Sequence, residues 1–174
     1  MNQKRNVYVY FFLDKTLLIP SCRGANDRLW VGQGKGSVAI AAGLSPDALA
    51  PHLWQAYSSS GADCERHIES YKDLDYSWMK LSGRKTKRAF VEESILVGVS
   101  NGGCPGEICL SVNLPTLGRP IQHFRQWGVP KHLVPDSSDP LRLAELTIEL
   151  RDEGYRFLRE GLWDTQKGEL RKKP

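Results

Sequence analysis

The chain has 174 residues, of which 40% are hydrophobic and 25% charged, enough apolar material for one globular domain with its own core. The net charge of +4 is mild, and no segment approaches the roughly eighteen apolar residues of a membrane span. The opening MNQKRNVYVYFFLDK imitates a signal peptide, but its apolar part is short and no small-residue cleavage site follows. The expectation is a cytoplasmic protein.

The elements follow in chain order. NVYVYFFL and TLLIPS carry β-branched and aromatic residues around Asp14 and Lys15, which predicts strands over 7–13 and 16–20 joined by a two-residue turn. Gly32, Gly34 and Gly36 then signal irregular backbone before a short strand at 37–41. Ser45, Pro46 and Asp47 announce a helix over 46–58, with Leu49, Leu53 and Tyr57 on one face and Pro51 as a kink or the true start. SWMKLSGRKTKRAFVEES reads as a helical pattern broken at Gly83, with a helix over 84–93.

ILVGVS and EICLSVNL predict strands at 95–100 and 107–114, joined by the hairpin connection NGGCPG. The four prolines between Pro115 and Ser138 leave room for short elements only, such as one turn around Ile121 to Trp127. Asp139 as cap, Pro140 at the first position and the stripe Leu143, Leu146, Leu150 predict a helix over 139–153. Gly154 reads as its stop, Tyr155 to Trp163 as another short helix, and the basic tail 167–174 as a disordered end. The fold class expected is α/β in the α+β sense: a single domain over 1–174 with a mixed, mostly antiparallel sheet flanked by helices.

Catalytic signals are weak. GQGKGS lacks the spacing of a phosphate loop. His52, His67, His123 and His132 are scattered, and Cys22, Cys64, Cys104 and Cys109 form no CxxC pair, so no metal site or cofactor is expected. The cysteines read as packing residues, with Cys104 and Cys109 as thiols although a cross-strand disulfide between them is geometrically possible. One enzymatic alternative stays open, a Cys–His nucleophile pair made from Cys104 or Cys109 with His123 or His132.

Charge is segregated. Residues 63–75 hold five acids (Asp63, Glu65, Glu69, Asp73, Asp75) against two bases, and residues 136–153 hold six acids against Arg142 and Arg151. Positive charge gathers in SGRKTKRAF, where Arg84, Lys85, Lys87 and Arg88 fall within five positions. Separate poles suit a charged macromolecular partner. A nucleic-acid surface would add stacking aromatics or a broader basic stripe, so a nucleic-acid module is an alternative and a solvated helix face the bland reading. Of the five tryptophans, Trp30 and Trp127 lie in glycine- or proline-flanked segments and read as candidate interface anchors.

The run WMKLSGRKTKRAFVEESILVGVS resembles the immunity proteins of bacterial contact-dependent growth inhibition systems, the CDI immunity family of CdiI type. HLVPDSSDPLRLAELTIEL and WVGQGKGSVAIAAGLSPDALAPHLWQAY resemble flanking parts of the same family. The resemblance implies a protein without catalysis of its own that binds the C-terminal toxin domain of a cognate effector, often a nuclease, in a 1:1 complex in the cytosol. On that reading the partner-binding candidates are Asp63, Glu65, Glu69, Asp73, Asp75, Arg84, Lys85, Lys87, Arg88 and Trp127.

Overall fold

Two long strands organise the sheet, β2 (Lys15–Arg23) and β6 (Glu107–Thr116), on either side of the central pair β1 (Asn6–Phe11) and β5 (Ile95–Ser100). The computed structural model describes residues 4–23, 30–62, 76–101, 106–118, 123–125, 131–135 and 138–171. Within them the hydrogen-bonded order is β3-β2-β1-β5-β6-β7, with β3 at Trp30–Gly32 and β7 at His123–Arg125. Two further strands, β4 (Val38–Ala41) and β8 (Lys131–Pro135), pair with β2 and β6. Every described pair is antiparallel.

β2 and β6 each take two short partners end to end along one edge. On β2, residues 15–18 pair with β4 and residues 21–23 with β3. Pro20 falls in the gap between those two ladders, where a missing N–H costs no bond on that side. On β6, β8 and β7 cover 107–111 and 114–116 in the same way. The proline-rich segment therefore contributes strand where a turn around Ile121 to Trp127 was expected. An exposed edge as long as β6 leaves a row of backbone donors and acceptors to be satisfied, and a three-residue strand is short enough to fit between prolines.

Period-two alternation assigns the faces. Val7, Val9 and Phe11, Ile95, Val97 and Val99, and Ile108, Leu110, Val112 and Leu114 all point to one side and join the main core. Covering them are α1 (Pro46–Ser59) and α3 (Pro140–Arg159), which also pack on each other. Tyr10, Phe12, Leu17, Ile19 and Leu96 point the other way, into a second cluster closed by Trp78 and Phe90. Pairing Leu18 with Val9, and Leu17 with Tyr10, keeps each cluster on its own face. That register puts the tip of the first hairpin at Leu13 and Asp14, closed by Phe12 N–H to the Lys15 carbonyl at 2.9 Å, one residue earlier than the sequence predicts.

The helix starts follow the local chemistry. Ser45 Oγ accepts from Ala48 N–H at 3.4 Å and Asp139 Oδ1 from Arg142 N–H at 2.9 Å, each just before a proline. Pro51 sits inside α1 and does not begin it. The stretch 76–93 divides into a 3-10 helix, Ser77–Ser82, and the short α2, Lys87–Glu92. Gly83 breaks them with φ 73°, and Thr86 starts α2 later than the expected 84 by accepting Ala89 N–H at 3.1 Å.

Gly154 is not a stop. It is buried within α3, where a Cβ would lie 2.9 Å from Val112 Cγ2 and 3.0 Å from Ile95 Cγ2. The missing side chain lets the helix press onto β5 and β6, so α3 runs on to Arg159 and absorbs most of the short helix expected after it. Trp163 then opens a two-stranded ribbon, β9 (Trp163–Asp164) with β10 (Glu169–Leu170), and donates its Nε1–H to the Pro115 carbonyl at 2.9 Å. Of the basic tail, residues 169–170 belong to that ribbon and 172–174 lie outside the described residues.

Candidate partner interface

The basic run is built around an arginine that faces inward. Arg84 reaches across to the hairpin tip and grips Asp14 with two guanidinium nitrogens, Nη2 to Oδ1 at 2.9 Å and Nη1 to Oδ2 at 3.2 Å. Its Nε donates to Glu93 Oε2 at 2.9 Å and its Nη1 to the Ser82 carbonyl at 2.8 Å. The guanidinium also stacks over Phe12, 4.3 Å from the ring centre, and the side chain is only 15% exposed. The hydrogen bond from Arg84 holds the Asp14 carboxyl below its ordinary range, and the same bond raises the guanidinium's.

Beneath this grip lies an aromatic cluster. Tyr10 stacks on Trp78 at 5.4 Å, and Phe90 sits edge-on to Tyr10, Phe12 and Trp78 at 4.8, 5.2 and 5.6 Å. Burial pushes the Tyr10 phenol up, so it stays neutral. Phe90 at the end of the motif is thus a core anchor.

The remaining cations of the motif face solvent. Lys85 has no ion pair with any described residue and is exposed. Lys87 Nζ stands 5.6 Å over the Tyr76 ring, and Arg88 makes a loose contact with Glu92 at 3.6 Å one helical turn away. Leu13 beside Asp14 is 86% exposed, Tyr76 43% and Leu81 39%. Sequence reasoning missed Leu13, whose only signal is a large apolar residue next to a turn-forming Asp.

The acidic segment 136–153 behaves differently once folded. Asp139 is spent as a cap, Glu145 pairs with Arg142 at 2.9 Å, Glu149 lies 3.3 Å from His132, Asp152 pairs with Arg151 at 2.8 Å and Glu153 with Arg156 at 2.7 Å. All five described carboxylates of this stretch are engaged within the domain. Asp63, Glu65, Glu69, Asp73, Asp75 and Trp127 lie outside the described residues, and so does the side chain of Trp30.

The catalytic alternative loses one pairing. Cys109 stands opposite Leu133 on the outer face of β6, whereas His132 stands opposite Leu110 on the helix-covered face, so the sheet itself separates them. Cys104 and the His123 side chain lie outside the described residues. Cys22 is buried, as a packing residue would be, and is also disulfide-bonded to a partner outside the described residues, a bond that was not expected. Sequence spacing carried no signal for that bond, since folding sets which cysteines meet. Where the outer face is not covered by Trp78 and Phe90, an open cleft of about 300 Å³ is lined by Tyr8 and Leu96 together with smaller side chains, among them Ser100, Ser111 and Asn113. Among the described residues no group of three or more His, Cys, Asp or Glu is placed to hold a metal, and no helix is long and apolar enough to cross a membrane.

These features define an α+β protein with a curled antiparallel sheet, the two long helices α1 and α3 on one face, and α2 with its basic corner on the other. Comparison with solved structures finds chains of the same fold. A protein of unknown function from Neisseria meningitidis superposes with a TM-score of 0.60 and 12% identity over 87% of this chain and 97% of that one. A chain of the CdiA-CT/CdiI toxin and immunity complex from Yersinia pseudotuberculosis superposes with a TM-score of 0.59 and 14% identity over 86% and 96%. At such identities the likeness is one of fold. No protein-family model matches the sequence, and no curated protein matches it.

Proposed function

We propose that this chain is a contact-dependent growth inhibition immunity protein of CdiI type, which binds the toxin domain of a cognate effector in a 1:1 complex and blocks it in the cytosol. The observation that carries the reading is the fold shared, over 86% of this chain, with a chain of a toxin and immunity complex. The GRKTKRAF likeness points the same way from the sequence, and it supplies the structural grip of Arg84 together with the core anchor Phe90. The toxin we infer is a nuclease. Neutralisation of this kind needs a tight stoichiometric surface and no chemistry by the inhibitor.

The Cys22 disulfide weighs on the place of action, because structural disulfides persist in oxidising compartments. Cell fractionation combined with thiol trapping of the native chain tests the cytosolic assignment directly. Co-expression with the toxin domain encoded beside it tests the function: the expected result is a 1:1 complex and restored growth. Neither complex nor rescue would sink the proposal.

A second reading, a nucleic-acid module using the exposed Lys85, Lys87 and Arg88, is favoured only by those side chains. It predicts an affinity for RNA or DNA that falls steeply with salt.

A further inference from the structure

We infer that the corner where the β1–β2 tip meets residues 76–92 is the face that receives the toxin, and that it takes an acidic protein surface with an apolar centre. The inference rests on the immunity reading and adds to it which charged pole is used and what the partner must present.

Among the described residues folding treats the acidic and the basic run differently. The described acids of 136–153 are engaged with bases or a helix start inside the domain. At the corner the balance is positive among the described residues: Lys15, Lys80, Arg84, Lys85, Lys87 and Arg88 stand against Asp14, Glu92 and Glu93, and Arg84 holds two of those three carboxylates. Lys15 stands at the same corner, its Nζ 3.5 Å from Asp14 Oδ2 and 3.7 Å from the point where a Gly83 Cβ would stand. Unbalanced positive charge on a mildly basic chain attracts acid and speeds encounter.

The corner also carries apolar contact area. Among the described residues seven large hydrophobics are exposed, and Leu13, Tyr76 and Leu81 are three of them. Apolar anchors surrounded by cations are the anatomy of a protein interface. Phosphate chains gain nothing from exposed leucines, and a single exposed tyrosine is a poor stacking platform, so protein is favoured over nucleic acid. The anchors are held in place before the partner arrives, because Arg84 ties the tip carrying Leu13 to the segment carrying Leu81.

The test measures association and dissociation of the full chain with the toxin domain encoded beside it. Lys85→Glu, Lys87→Glu and Arg88→Glu together are expected to weaken binding about a hundredfold, mainly through slower association and a flatter salt dependence. Leu13→Ser with Leu81→Ser is expected to act on dissociation instead. Leu141→Ser, on an exposed position of α3, should leave both rates unchanged. If the wild-type chain binds and protects while the triple variant, with unaltered melting temperature, binds equally well, this corner is not the interface although the immunity reading stands. If the wild-type chain neither binds nor protects, both fall together. Salt-sensitive binding of a 20-mer single-stranded RNA that the triple variant loses would reassign the corner to nucleic acid and overturn the inference.

Discussion

Arg84 closes on Asp14 from 70 residues away in the chain, its two nitrogens at 2.9 and 3.2 Å from the carboxylate while its plane stacks on Phe12. A motif that reads as a run of surface charge is therefore two things at once: one arginine that locks the first hairpin to α2, and three cations that do not.

Removing the lock should cost stability in proportion. Asp14 and Glu93 are half exposed and regain water when Arg84 is lost, so the cost is the hydrogen bonds and the stacking on Phe12 rather than a buried unpaired charge. Arg84→Ala is expected to destabilise by about 1–2 kcal/mol, which for a chain of this size lowers the melting temperature by roughly 3–6 °C. Arg84→Lys should recover little of it, because a lysine neither forks nor stacks. Lys85→Ala should stay within about 0.5 kcal/mol of wild type. Equal melting temperatures for Arg84→Ala and Lys85→Ala would contradict the assignment.

The same pair predicts a pH dependence. The Asp14 carboxyl titrates below its unfolded value of about 3.9 because Arg84 donates to its ionised form. A depressed carboxylate contributes stability that is fully present above the unfolded pKa and is lost as pH falls through the folded one. The stability gap between wild type and Asp14→Asn should therefore be constant near neutrality and shrink below about pH 4. Urea unfolding of both proteins at pH 6 and pH 3 measures it, and a gap that stays the same at pH 3 would count against the pairing.

Gly154 offers a test in which two rules predict opposite signs. Replacing a mid-helix glycine by alanine ordinarily stabilises by up to about 1 kcal/mol. Here the new methyl would meet Val112 and Ile95 at 2.9 and 3.0 Å in a packed core. Overpacking should win, so Gly154→Ala is expected to destabilise by about 1–3 kcal/mol. Trimming the neighbour in Gly154→Ala/Val112→Ala should return part of the loss relative to the sum of the single variants.

Trp163 anchors the end of the chain to the sheet through the Pro115 carbonyl, and it is almost wholly buried. Trp163→Phe keeps most of the apolar area but leaves that carbonyl without its donor, at a cost of about 1–3 kcal/mol. Trp163→Ala adds a cavity and should cost about 3–5 kcal/mol. Thermal unfolding ranks the two, and a phenylalanine variant as stable as wild type would show that the hydrogen bond contributes nothing.

Much of the fold was legible from neighbouring residues alone. Ser45 with Pro46 and Asp139 with Pro140 begin helices because a cap and a preset φ act within four residues, and Gly83 breaks the basic segment because it can take a positive φ. Alternation in NVYVYF and EICLSVNL marked β1 and β6 for the same local reason. Harder to read were β7 and β8, whose strand character comes from the unpaired edge of β6, and Gly154, whose role depends on how closely α3 approaches Val112 and Ile95.

The candidate interface divides along the same line. By itself the sequence determined the charge inventory, the lack of a recognisable catalytic spacing and the GRKTKRAF likeness, since these depend on residue types and short spacings. Only the tertiary structure decided which charges remain available. Arg84 is consumed by Asp14, a residue in a different hairpin, and the carboxylates of α3 by arginines and a histidine brought to them by helical period and by β8. Ion pairs form between side chains a few ångströms apart in space, and when those side chains are distant in sequence only the fold brings them together.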